Sequence, residues 1–101
     1  MKDLAPMFDP LHPGEFISEV YVAPSGLSAR ALAGKLGVTP STLQRLLGGS
    51  HGVSPEMALR LSVVLGRSAE SWLSMQHAYD LWRARKTFDS ESLEPLVISH
   101  T

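Results

Sequence analysis

Apolar residues recur along most of this 101-residue chain at the three- and four-residue intervals of an amphipathic helix, and start and stop signals separate the runs. Phe16, Ile17, Val20 and Tyr21 follow Pro13 at that spacing. Proline suits a first helical turn, so "HPGEF" opens a helix that "APSG" ends. Ser28, a good N-cap, precedes Ala29, Leu32, Ala33 and Leu36 before Gly37. Thr39-Pro40 and Ser54-Pro55 use one device twice, a capping hydroxyl followed by a proline at the first helical position. Behind the first pair come Leu43, Leu46 and Leu47; behind the second come Met57, Ala58, Leu61, Val64 and Leu65, with Gly66 as the stop. A fifth helix begins at Ser68 and runs to about Arg85. No strand signal competes until "LEPLVI" near the end. The pattern predicts an all-α domain of five helices over residues 12–85, between a flexible segment at 1–11 and a tail at 86–101.

The second and third helices form a recognisable unit, "LSARALAGKLGVTPSTLQRLLGG". Ala33 falls where two steeply crossing helices touch. Gly37, four residues later, sits where the chain turns with positive φ, which glycine adopts without a Cβ penalty. Leu32, Leu36, Val38, Leu43 and Leu46 fill the apolar positions around them, so seven positions stand in register over 15 residues. This is the helix-turn-helix pattern.

On a helical wheel Leu43, Leu46 and Leu47 mark the buried side of the third helix. Ser41 and Arg45 then lie nearly opposite, with Gln44 and Thr42 on the two shoulders. That is the face a recognition helix presents to the major groove. Arginine bridges O6 and N7 of guanine, and glutamine pairs with adenine. Thr39 and Ser41, at the helix start, are placed for phosphates or base edges. The competing reading is a plain solvated face; the complete turn pattern tips the balance toward DNA.

Charge distribution supports that reading where the total does not. The net charge is −1, yet residues 27–67 hold Arg30, Lys35, Arg45, Arg60 and Arg67 against Glu56 alone. Acidic stretches flank this basic middle, so it binds a polyanion locally. Arg30, Lys35, Arg60 and Arg67 are candidates for phosphate contact, and His51 in "GGSHG" is a candidate for the DNA backbone. The absence of cysteine removes disulfide and thiolate chemistry and fits a reducing cytoplasm. No apolar run approaches the ~20 residues of a membrane span.

Catalytic constellations are missing. His12 and Glu15 lack a third ligand, and the other histidines show no metal spacing, so neither a metal nor a cofactor is expected. The serines at helix starts have no base and orienting partner, which argues against an enzyme. The fifth helix is the second informative segment. Ala69, Trp72, Leu73, Met75, Gln76, Ala78, Tyr79, Leu81 and Trp82 cover more than one apolar stripe. Trp72 and Leu73 are expected inward, with Met75, Tyr79 and Trp82 meeting a second copy.

Residues 12–85 resemble the HigA-type antitoxins, a branch of the Cro/repressor-like (XRE) helix-turn-helix regulators. The likeness rests on "HPGEFI", "LAGKLGVTPSTLQRLLGG", "SPEMALRLSVVLG" and "SAESWLSMQHAYDLW". It implies a five-helix lambda-repressor-like fold and a homodimer on a palindromic operator in its own promoter. It also implies a partner toxin of the HigB kind, a ribosome-dependent mRNA endonuclease held inactive by the antitoxin. Dimers of this fold space their recognition helices about one DNA turn, roughly 34 Å, apart. The segment "SLEPLVISH" then offers either a short strand across the dimer or a contact for the toxin. Many relatives of this kind carry glutamine at the starts of the second and third helices. Ala29, Pro40 and Ser41 stand there instead, which shifts base readout toward Gln44 and Arg45. Two rival readings remain: a stand-alone XRE-type regulator without a toxin, and a protein-binding module that uses the turn motif as scaffold.

Overall fold

The computed structural model describes residues 9–98, so the expectations for most of the N-terminal segment and for the last three residues lie outside the described part. Five helical runs follow one another, and no strand occurs among the described residues. The first run, α1, spans residues 13–25. It is α-helical over Pro13–Ile17, widens into a π turn over Ser18–Val22, and closes over Ala23–Ser25. Then come α2 (Ala29–Leu36), α3 (Pro40–Leu47), α4 (Pro55–Val64) and α5 (Ala69–Thr87).

Local chemistry sets most boundaries. Ser28, Thr39, Ser54 and Ser68 each accept a backbone N–H three residues on, satisfying a donor that a helix start would otherwise leave unpaired. Gly37 ends α2 at φ 72°, and its N–H and that of Val38 return to carbonyls of the last turn. Gly66 and Arg67 both adopt left-handed backbone, at φ 86° and 63°. Such a conformation strains a residue with a Cβ. Stacking of the Arg67 guanidinium over Phe16 and Trp72 (5.2 and 5.6 Å to the ring centres) holds it there.

One apolar core joins all five helices: Ile17; Leu32, Ala33 and Leu36; Leu43 and Leu46; Met57, Ala58 and Leu61; and Trp72. Val53 joins it from the loop before α4. The Trp72 ring is fully buried, and its Nε1–H donates to the Gly66 carbonyl at 3.1 Å. The π turn departs from simple helical spacing. Ala23 N–H reaches back to the Ser18 carbonyl, a five-residue step, which shifts the register of everything after it. Tyr21 packs against the core as the spacing predicts and Val22 joins it, while Val20, expected on the same apolar face, is 46% exposed. The "LEPLVI" segment forms no strand, and Leu93, Leu96, Val97 and Ile98 are exposed.

Candidate nucleic-acid interface

The third helix turns its leucines inward, with Leu43 and Leu46 buried and Leu47 half-buried. Ser41, Gln44 and Arg45 point into solvent. Thr39 Oγ1 caps the helix by accepting the Thr42 N–H at 3.1 Å, and it donates to Thr42 Oγ1 at 2.9 Å. Thr39 is therefore engaged in holding the helix start, while the Thr42 hydroxyl keeps its own proton to offer. Arg45 Nη1 donates to Ser41 Oγ at 2.8 Å, one turn back. Four further guanidinium N–H groups remain for a ligand.

Arg45 also organises the chain that leaves the helix. Its carbonyl accepts from Ser50 N at 3.0 Å, His51 N at 3.2 Å and Ser50 Oγ at 3.2 Å. The loop is folded over the end of α3, with the His51 side chain exposed and its amide engaged. Close approach of α1 supports the same end. A Cβ on Gly14 would collide with the Leu46 carbonyl oxygen and stand 2.9 Å from the Leu47 Cα, so "HPGEF" needs glycine to let two backbones meet.

The basic residues divide into two groups. Arg30 and Lys35, on α2, are exposed. Among the described residues the one ion pair joins Arg60 to Glu56, so neither has an acidic partner there. Arg60 and Arg67, the other two phosphate candidates, are engaged within the fold. Arg60 Nη1 donates to the carbonyls of Leu36 at 2.9 Å and Gly37 at 3.4 Å, capping α2, while Nη2 meets Glu56. Arg67 is stacked on two rings and bonded to Ser71. A sequence shows a charge but not the distant carbonyl that occupies it.

The fifth helix carries the proposed dimer residues. Met75 is half-buried against the chain's own core. Tyr79 is half-buried, 5.7 Å from Trp82 between ring centres, and Lys86 Nζ lies 3.9 Å above the Trp82 ring. Two residues behind this face hold roles that the sequence pattern does not reveal. His12 caps α1, its Nδ1 accepting the Gly14 N–H at 2.9 Å, and its ring is buried against Tyr79. Burial pushes the His12 imidazole below its ordinary pKa, an effect reinforced by Arg83 and opposed by Asp80, the His51 backbone and Glu15. Gln76 is buried beside the core and bonds Val53 N. The trace it leaves in sequence is a polar residue one turn after Trp72, on an otherwise inward face.

Comparison with known proteins fits this geometry. A helix-turn-helix domain family matches residues 21–71. Antitoxin HigA-1 of Vibrio cholerae serotype O1 is 35% identical over 92 residues, covering 89% of this chain and 87% of its own. The chain belongs to the HigA-type helix-turn-helix antitoxins. Virulence-associated protein I of Dichelobacter nodosus is 42% identical over 87 residues, with 86% and 79% coverage. Antitoxin GraA, solved in complex with its operator, superimposes with a TM-score of 0.81 at 40% identity, covering 95% of this chain and all of that one. Within this HigA-type chain the matched family segment contains α2, α3 and the turn between them, the elements that present Ser41, Gln44 and Arg45.

Proposed function

We propose that this chain is a DNA-binding antitoxin that represses its own operon and neutralises a HigB-like mRNA endonuclease. As a homodimer it grips a palindromic operator in the cytoplasm. The observation that carries the DNA half is the outer face of α3, where Arg45, Gln44 and Ser41 stand exposed on a helix whose other side is locked into the core. Arg45 and Gln44 read base edges. Thr42, Ser41, Arg30, Lys35 and the His51 ring meet the backbone, with Thr39 fixing the helix start. GraA, the operator-bound relative, supports this use of the fold.

Met75, Tyr79 and Trp82 form the dimer seam on α5, where half-buried aromatic area awaits a second copy. Binding rather than catalysis is the role, in line with relatives that are antitoxins and regulators. No helix among the described residues is long and apolar enough to cross a membrane.

Titration of the chain with the DNA upstream of its own gene tests the first half. Sequence-specific binding that weakens steeply with salt is expected, since phosphate contacts release counterions. Co-expression with the product of the neighbouring gene tests the second half. Rescue of growth and a stable complex support an antitoxin, and operator binding without either leaves a regulator that has no toxin.

A further inference from the structure

The loop that leaves α3 is held from two sides. On one side, the Arg45 carbonyl gathers the amides of Ser50 and His51. On the other, the Val53 N–H donates to Gln76 Oε1 at 2.8 Å across 23 residues of sequence, in a buried position. Gln76 is itself aimed by Asp80, whose Oδ1 accepts its Nε2–H at 2.9 Å. The fit is close. A Cβ on Gly52 would stand 2.7, 2.8 and 2.9 Å from the Cδ, Nε2 and Oε1 of Gln76. Gly52 is not among the glycines with positive φ, so what a Cβ there would displace is the Gln76 amide rather than a backbone conformation.

A buried amide on α5 carries a desolvation cost that an apolar side chain beside Trp72 would avoid. What the amide supplies is a fixed position for the loop. We propose that Gln76 is a positioning residue for DNA binding: through Val53 it holds the 48–54 loop so that the exposed His51 ring meets the phosphate backbone beside the groove read by Arg45. Gln76 touches no DNA. The proposal rests on the DNA-binding reading above and adds to it a residue on the opposite helix, two turns or less from the dimer residues Met75, Tyr79 and Trp82.

Two variants break the same contact by different means. Gln76→Met removes the acceptor, while Gly52→Ala keeps Gln76 and pushes its amide off the loop. The full-length wild type and both variants are titrated against upstream DNA at fixed salt. Phosphate-ethylation interference then maps the backbone contacts, and hydrogen exchange at Val53 reports whether the staple is open. Each variant is expected to bind about tenfold more weakly, the worth of one hydrogen bond to a charged group. Each should also lose interference at one phosphate per half-site while keeping the wild-type base preference.

Wild-type interference patterns in a folded variant whose Val53 amide exchanges freely would overturn the assignment and leave Gln76 a purely structural residue. Should Gln76→Met not fold, Gly52→Ala decides alone, because the group its methyl displaces is the far end of the Gln76 side chain rather than backbone. A wild-type chain with no preference for its upstream DNA would overturn both this assignment and the reading beneath it.

Discussion

The ring of His12 meets the ring of Tyr79 edge-on, with 4.9 Å between centres and 82° between planes. This contact ties the first turn of α1 to the outer half of α5, and it depends on a neutral imidazole whose Nδ1 accepts the Gly14 N–H. Protonation would turn that acceptor into a donor facing a donor. Burial lowers the His12 pKa from its ordinary 6.5, so folding favours the neutral form. The stability it contributes is present above pH 6.5 and is lost as pH falls toward and through the lowered value. Denaturation midpoints measured from pH 8 to pH 5 should drop at the acid end. His12→Asn, which still caps, should flatten that part of the curve. An unchanged acid slope in His12→Asn would remove His12 from the account.

Gly14→Ala places a methyl group against the Leu46 carbonyl, where backbone rather than a flexible side chain must give way. Overpacking of this kind costs about 1–3 kcal/mol. Urea unfolding should register a loss of at least that size. A variant as stable as wild type would mean that α1 and α3 do not approach as closely as described.

Arg60→Ala strips α2 of its carbonyl partners and leaves Glu56 alone. The side chain is partly exposed, so the expected loss is modest, about 1 kcal/mol in thermal or urea unfolding. The salt dependence of DNA binding should stay at the wild-type slope, because Arg60 is occupied within the fold. A slope reduced by about one phosphate contact would return Arg60 to the interface.

Much of this was legible in the sequence wherever the cause was local. Ser28, Thr39, Ser54 and Ser68 announce helix starts because capping involves residues two or three positions apart. Ala33 and Gly37 mark the turn for the same reason. The outward set on α3 followed from helical geometry once Leu43 and Leu46 were assigned to the core. Illegible were the features made by distant partners: Arg60 under the end of α2, Arg67 on two rings, and Gln76 holding Val53. The π turn was hidden too, since a single five-residue step leaves no composition signal and still turns Val20 outward. His12 shows in sequence only as a histidine without a third ligand, and the buried Tyr79 contact that gives it weight lies 67 residues away.

Trp82→Glu tests the seam on α5. Tyr79 and Lys86 flank the ring on its own chain, and the remaining exposed part is assigned to a second copy. Analytical ultracentrifugation should report a dimer for wild type and a monomer for the variant, with helix content retained. A variant that stays dimeric would place the seam elsewhere.

Base reading by Arg45 is decided by comparing wild type and Arg45→Ala on upstream DNA and on a scrambled duplex of equal length. Wild type is expected to prefer its own site. In the variant that preference should fall by about 1–3 kcal/mol per base contacted, with circular dichroism unchanged. Full discrimination by a folded Arg45→Ala protein would show that Arg45 does not read bases.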